Sequence, residues 1–362
     1  MEVKCNQSTV VEKKKWSIEK FLAEFDLSEK DGNLNYANFH SICVTLFYPN
    51  EIKQDEWRIQ EIFCSFDLNK DGILQQQEWK TFCDWLRVIL EPVDALLIID
   101  VQNDFIDGSL ALRACEAKQD GVDVVEPINY LLKNGFFDKI IYSLDWHPEN
   151  HISFYENLHL RELHPDSKKK KCHSSNKIFL IMYKVTKDNA KPFDTVVFAD
   201  PYSEQILWPK HCVMNTWGSQ LHKNLLITPN SVQVRKGQNS DMEAYSVFYD
   251  NNDKETMELQ KILNELGATR IFVCGLAYDV CIKFTCLDGL QLGHALAVID
   301  DCCRGVSVPN IEKTKKLIYE NGGLITNSHD VLEMINEGKR SLIMSHQIAK
   351  AMICCHAENC MN

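Results

Sequence analysis

From residue 95 onward the chain alternates between two patterns. Short, almost continuous apolar runs are ALLIID (95–100), KIIYSLDW (139–146), VQVRK (232–236), RIFVCG (270–275), ALAVIDD (295–301) and GLIT (323–326). Stretches with helical spacing separate several of them, such as NDKETMELQKILNELG ahead of the fourth. A strand covered on both faces needs apolar side chains at every position, and crossover helices supply the cover. The pattern predicts a three-layer α/β/α unit around a mostly parallel open sheet. Residues 160–206 interrupt it with KKKK (168–171), one apolar patch, IFLIMY, and no clear period. They read as an insertion at the domain surface, the lysine run being a solvated loop.

Residues 13–90 have a different grain: helical patterns and a weak internal repeat. FDLSEKDGNLNYANF (25–39) resembles FDLNKDGILQQQEW (66–79), with Gly32 and Gly72, Leu34 and Leu74, and Phe39 and Trp79 all forty apart. Such an offset is one supersecondary unit used twice. The second copy fits an EF-hand calcium loop. Asp67, Asn69 and Asp71 take positions one, three and five, Gly72 makes the turn, Ile73 offers a carbonyl, Gln75 stands at nine, and Glu78 closes as the bidentate ligand. A hard cation needs oxygens at alternate positions around a tight turn. The first copy, 26–38, is degenerate: counting back from Gly32 puts Leu27 at position one and Asn38 at twelve. It reads as a pseudo-loop paired with the second. WRIQEIFCSF and QQQEWKTFCDWLRVIL would enter and leave the intact loop. The expected organisation is a small all-α EF-hand-like domain at 1–91, with Pro92 at the boundary, an α/β domain at 92–338, and a tail at 339–362 that could form a frayed helix.

Composition narrows the class. A length of 362 residues, 45% of them hydrophobic, suffices for two domains. A net charge of −12 disfavours nucleic acid as a partner. No apolar run approaches the roughly 18 residues of a membrane span, and the start, MEVKCNQSTVVEKKKW, has no secretory apolar segment. The expectation is an intracellular protein, cytoplasmic or also nuclear, with its 15 cysteines reduced. Most of those thiols should be small buried hydrophobes. In the tail, Cys354, Cys355, His356 and Cys360 lack a convincing zinc spacing.

Sites in open parallel sheets form beyond the carboxyl ends of the strands. Asp100 ends the first run, Asp145 and His147 the second, and Lys236 the third, while Cys281 follows RIFVCG by six residues. A thiol becomes a nucleophile when its pKa falls or a base takes its proton, and a lysine or helix N-terminus favours the thiolate. Asp100 could accept that proton and return it to a leaving group. Asp100, Lys236 and Cys281 thus make a nucleophilic set, and backbone N–H groups around Ala277 and Cys281 could hold an oxyanion. In D-W-H the carboxylate and imidazole stand two apart, and WPKHC adds His211. One oxygen and two nitrogens suit zinc, iron or manganese. His151 is a further candidate ligand or supporting group, and Cys212 reads as a buried bystander.

Together these stretches carry a resemblance. IIDVQNDF (98–105), DWHPENHISF (145–154), LWPKHCVMNTWGSQL (207–221), VRKGQNSDMEAYSVF (234–248) and GLAYDVCIKFT (275–285) are similar, in order, to the motifs of nicotinamidases in the isochorismatase-like hydrolase superfamily. The likeness spans roughly 95–330, and the EF-hand-like region makes the chain look like the animal members that carry one. The resemblance implies Cys281 as nucleophile, Asp100 as base and acid, Lys236 as third triad member, and Asp145, His147 and His211 as metal ligands. It implies a cis peptide at Leu276–Ala277 that aims the Ala277 N–H at an oxyanion shared with Cys281. Phe105, Trp146 and Tyr245 would wall the substrate ring, with Gln102, grouped with the substrate-binding residues, a supporting polar residue near the metal. The implied reaction is nicotinamide hydrolysis to nicotinate and ammonia through a thioester, serving NAD salvage. The implied cofactors are one divalent transition metal, zinc first with iron or manganese as alternatives, and calcium at the loop. Rivals are a carbamoyl-sarcosine-type amidase and a calcium-responsive binding module with a vestigial enzyme domain. The resemblance implies nicotinamide as partner, while the net charge and the lack of a long apolar run argue against nucleic acid and membrane. It leaves a homo-oligomer open.

Overall fold

The structure is a computed structural model describing residues 16–30, 32–165, 167, 169–172, 181–252 and 258–359. The chain opens with helices α1 (Ile18–Ala23), α2 (Tyr36–Leu46), α3 (Pro49–Asp55), α4 (Trp57–Phe66) and α5 (Gln76–Leu90). Two short strands, β1 (Leu34–Asn35) and β2 (Ile73–Leu74), pair antiparallel with Leu34 opposite Leu74. The forty-residue repeat is thus a physical pairing: each copy contributes one strand of a shared ribbon. Trp79 packs so closely on the first copy that a Cβ on Gly32 would lie 2.1 Å from its ring.

A six-stranded sheet follows, built from β3 (Asp94–Ile99) and β4 (Lys139–Asp145), then, after the insertion, β9 (Val232–Lys236), β10 (Arg270–Leu276), β11 (Ala295–Arg304) and β12 (Leu324–Thr326). The order is β12-β11-β10-β3-β4-β9, and every pairing is parallel. Each apolar run became a strand. β3 and β10 are buried at every position, because α6 (Asn103–Ile106), α7 (Val125–Asn134), α8 (Glu258–Leu266), α9 (Lys283–Gln291), α10 (Val308–Glu320) and α11 (Ser328–Leu332) come between and over the strands. The chain proceeds from β3 outward to β4 and β9, then returns to the other side of β3 as β10. The point of reversal lies between β3 and β10, where a crevice forms in sheets of this kind.

The insertion is two antiparallel hairpins, β5 (Lys169–Cys172) with β6 (Ile181–Lys184) and β7 (Thr195–Ala199) with β8 (Tyr202–Ile206). Lys169–Lys171 therefore lie in a strand, which corrects the solvated-loop expectation. Backbone pairing does not need apolar side chains. A small second core of Ile152, Leu158, Val185, Ala190, Val196, Phe198 and Leu207 anchors this region.

The C-terminal stretch forms α12 (Leu342–Asn359), which lies against α3, α4, α5 and β11. Its first turns are buried from Leu342 to Ala349, and Trp85 Nε1 donates to the Ser345 carbonyl at 2.9 Å. The helical region, the sheet and α12 share one continuous apolar cluster. Cys354 is exposed, while Cys355, His356 and Cys360 fall outside the described side chains. No described helix is long and apolar enough to cross a membrane.

Candidate active site

The carboxyl ends of β10, β3, β4 and β9 are neighbours, and each delivers one side chain to a common point. Asp145 and Lys236 are register partners at the ends of β4 and β9. Asp100 follows β3 at φ 47°, a left-handed conformation that turns the chain sharply out of the sheet. Cys281 stands in a helical turn, Tyr278–Ile282, just beyond β10. The backbones of β3 and β10 approach so closely that a Cβ on Gly275 would lie 2.1 Å from the Ile99 carbonyl. The Leu276–Ala277 peptide is cis.

Lys236 is the hub. Its Nζ lies 3.0 Å from Asp100 Oδ2 and 3.3 Å from Cys281 Sγ, contacts Asp145 Oδ1, and donates to the Ala244 carbonyl at 3.1 Å. All four ionisable groups are buried. Burial works to discharge Lys236, but Asp100, Asp145 and Cys281 outweigh it and hold the ammonium well above its usual pKa. Burial raises Cys281 well above a free thiol and Asp100 above a free carboxylate, with Lys236 opposing both shifts. The resting set thus suits a neutral thiol beside a carboxylate that burial makes more basic and Lys236 steadies, so that it can accept the thiol proton. Ser143 Oγ donates to Asp100 Oδ1 at 2.6 Å and fixes its orientation.

Beside this triad stand Asp145, His147 and His211, whose ligand atoms all lie within 4.8 Å of one another. His147 Nδ1 is 2.9 Å from the Gly237 carbonyl and His211 Nδ1 is 2.7 Å from the Pro209 carbonyl. Carbonyls only accept, so both rings place an N–H on Nδ1 and turn Nε2 toward the common point. His147 Nε2 is buried with no hydrogen-bond partner. An orphaned nitrogen in that position is what a metal ion would satisfy, so the residues present fit a divalent transition metal. Burial lowers the His147 pKa, but Glu243 and Asp145 overcome it and raise it to about 9, so the pocket favours positive charge there. A Cβ on Gly237 would lie 2.3 Å from the His147 ring, so only glycine permits this packing.

The pocket over these groups holds about 390 Å³ of empty space including its open mouth. Phe105, Trp208, Tyr245, Ala277, Cys281, Asp145, His211 and Glu243 line it, with apolar cover from Leu110, Leu112, Val280 and Val306. Phe105, Tyr245 and Ala277 are where the sequence places them. Trp146 does not line the pocket: the Arg235 guanidinium sits over its ring at 4.2 Å. Trp208, from the WPKHC segment, occupies the wall. Gln102 also does not line it; its amide donates to the Asp145 and Ser219 carbonyls and accepts from the Asp145 N–H, bracing a ligand. His151 stacks on His147 at 4.1 Å, with its nitrogens near Ser153 Oγ and the Met242 carbonyl. Burial and the neighbouring His147 push it down to about 3, so it supports as a neutral ring. Cys212 is a buried thiol with its Sγ 3.8 Å from the Gly218 carbonyl. Sequence reasoning missed Glu243, an acid two residues before Tyr245 that lies inside the segment 234–248 without being singled out.

In the helical region, Asp67, Asp71 and Glu78 bring oxygens within 4.8 Å of one another. Asp67 Oδ2 accepts from the Gly72 N–H at 3.0 Å, while Asp67 Oδ1 is buried and unpartnered. Glu78 Oε1 accepts from the Leu68 and Asn69 N–H groups.

Comparison with known proteins gives this geometry a family. The isochorismatase domain matches residues 94–330. A nicotinamidase of Escherichia coli is 34% identical over 218 residues, covering 60% of this chain and 85% of that protein. One of Saccharomyces cerevisiae is 32% identical over 219 residues, covering 59% and 88%. Among solved structures, an Acinetobacter baumanii nicotinamidase and pyrazinamidase superposes with TM-score 0.53 at 29% identity, over 67% of this chain and 99% of that one. From Asp94 to Asp330 the chain belongs to the isochorismatase family.

Proposed function

We propose that this protein is a nicotinamidase, hydrolysing nicotinamide to nicotinate and ammonia and so supplying an NAD precursor. The observation that carries the reading is the contact of Lys236 with both Asp100 and Cys281 in a pocket walled by Asp145 and His211. The named activity of the relatives in two organisms supports it.

Asp100 and Cys281 have polar atoms within 4.8 Å of each other. Asp100 takes the Cys281 proton as Sγ attacks the amide carbon, while Lys236 offsets the charge left on both. The N–H groups of Ala277 and Cys281 receive the oxyanion. Asp100 then passes its proton to the departing nitrogen, the C–N bond breaks, and ammonia leaves a thioester on Cys281. A water loses its proton to Asp100 and attacks that thioester; nicotinate departs and the proton returns to Sγ. Phe105, Trp208 and Tyr245 confine the ring and exclude water. A divalent metal, zinc first, held by Asp145, His147 and His211, would supply a Lewis-acid anchor for the ring nitrogen. Ammonia release from nicotinamide by the purified protein, compared with Cys281→Ala and with chelator-treated protein, tests the reading. Undiminished release by Cys281→Ala would sink it.

For residues 67–78 the EF-hand reading rests on the unpartnered Asp67 Oδ1 and on the gathering of Asp67, Asp71 and Glu78 within 4.8 Å. Calcium titration by calorimetry tests it; the absence of any heat from the full chain at millimolar calcium would reject it.

A further inference from the structure

Cys212 follows His211 directly and has φ 47°, in the left-handed region that residues other than glycine rarely occupy. Such a conformation persists only where its surroundings over-determine it. Here two hydrogen bonds do so. The Cys212 carbonyl accepts from the His147 N–H at 3.1 Å, and the Cys212 N–H donates to Asp104 Oδ2 at 2.7 Å. One bent residue therefore joins the two histidine segments and is itself tied to Asp104.

Asp104 holds a second loop with its other oxygen. Its Oδ1 accepts from the Ser109 N–H at 3.1 Å, and its backbone carbonyl accepts from the Leu110 N–H at 3.1 Å. Leu110 lines the pocket; Asp104 does not. Asp104 lies on α6, donates its own N–H to the Gly218 carbonyl at 3.1 Å, and precedes Phe105, whose ring centre is 5.5 Å from that of His211. Two glycines leave room for the carboxylate: a Cβ on Gly108 would lie 2.0 Å from Oδ1, and one on Gly218 would lie 1.9 Å from Oδ2. Each oxygen thus meets a backbone N–H from a different loop. A carboxylate accepts on both atoms. An asparagine amide accepts on one and turns its NH2 against the other N–H.

We propose that Asp104 is a positioning residue for the metal site. It acts through Cys212 to set the direction of His211, and through Ser109 it ties that setting to the loop carrying Leu110. The ligand class is a divalent transition-metal ion, which Asp104 serves without touching it. The Pro209 carbonyl anchors His211 Nδ1 at 2.7 Å on the other side. With Asp104 weakened, that bond alone would hold a ring whose next residue is free to leave its strained bend. Groups that orient metal ligands in this way typically change metal affinity about tenfold to a hundredfold when altered.

The inference takes its metal site from the nicotinamidase reading, and its test separates the two. Zinc is removed from the full-length protein, and its dissociation constant is measured by competition with a chromogenic chelator in wild type and Asp104→Asn. The constant should rise about tenfold or more in the variant. Ammonia release by the variant should fall at equimolar zinc and recover most of its kcat in excess zinc, a recovery that a merely structural role would not give. A zinc constant within twofold of wild type in folded Asp104→Asn overturns the proposal, whatever the melting temperature does. Should the variant fail to fold, hydrogen exchange in the wild type replaces it. Zinc should then slow exchange in the peptide spanning 107–112, which holds no metal-ligand candidate, as well as at 209–213. Protection confined to 209–213 overturns the proposal. Wild-type protein that releases ammonia from nicotinamide but binds no zinc overturns this inference and leaves the Cys281 chemistry intact. Wild-type protein that binds zinc but releases no ammonia removes the enzymatic reading, and the zinc comparison still decides Asp104.

Discussion

Lys236 is bonded to more of the site than any other side chain described here, and its removal should differ in kind from removal of the nucleophile. Lys236→Met keeps the volume but leaves Asp100 and Asp145 buried together without a cation. Breaking a buried pair in this way costs about 3–5 kcal/mol. Lys236→Met should therefore lose activity and also melt markedly lower, whereas Cys281→Ala should lose about 10³-fold or more in kcat with a nearly unchanged melting temperature. Equal melting temperatures for the two variants would show that Lys236 is not a charge hub. Ser143→Ala leaves Asp100 ionisable but frees one of its oxygens. It should lower kcat by roughly tenfold with little effect on KM, a split that steady-state kinetics reads directly. Asp100, Asp145, His147, Lys236 and Cys281 were legible because each sits within a few positions of the end of an apolar run, whereas His211 came from the WPKHC turn. Glu243 and Trp208 were not legible, since whether a loop side chain faces a pocket or solvent depends on elements far away in sequence. Trp146 erred for the same reason: its neighbour Arg235, on the adjacent strand, captures the ring.

At the scale of elements, the intact loop and α5 share Glu78. Its oxygens accept the Leu68 and Asn69 N–H groups and face the Gln75 N–H at the start of α5, so the loop and the helix N-terminus are closed by one carboxylate. A cation there would stabilise the folded chain by about 2.7 kcal/mol at a hundredfold excess over its dissociation constant. Wild-type protein should melt higher in calcium than in a calcium chelator, and Glu78→Gln should abolish most of that difference. A calcium-independent melting temperature would reject the metal loop while leaving the ribbon between β1 and β2 in place. The central strands were readable because continuous burial writes a continuous apolar run. β5 carries three consecutive lysines, and α12 shows the opposite problem. Eight successive residues of α12, Leu342 to Ala349, are buried, including Ser345, His346 and Gln347. A helix covered nearly all round has no apolar stripe, and polar residues in the buried run erase the signal further.

At the scale of the whole molecule, α12 ties the helical region to the catalytic part through polar contacts rather than apolar packing alone. Arg58 on α4 reaches Asp55 at 3.2 Å and His346 at 2.9 Å, and the Tyr319 hydroxyl of α10 lies 2.8 Å from Asp55. Since an arginine only donates, His346 Nδ1 accepts, and Nε2 carries the proton toward Glu61 at 3.0 Å. The ring is neutral in this arrangement. Burial, together with Arg58 and Lys350 and against Glu61, lowers its pKa from 6.5 to about 4. The sign of the consequence follows from proton counting. Above pH 6.5 neither the folded nor the unfolded chain binds a proton at this histidine, and stability does not depend on it. Between 6.5 and about 4 the unfolded chain takes up a proton that the folded chain refuses, so stability falls by up to about 1.4 kcal/mol per pH unit. Below that window the contribution ends. His346→Gln can still accept from Arg58 and donate to Glu61 but does not titrate. The stability advantage of the wild type over His346→Gln, measured by urea unfolding, should therefore shrink steadily from pH 7 to pH 4.5. A constant difference across that range would mean the clasp between α4 and α12 does not sense protons through His346.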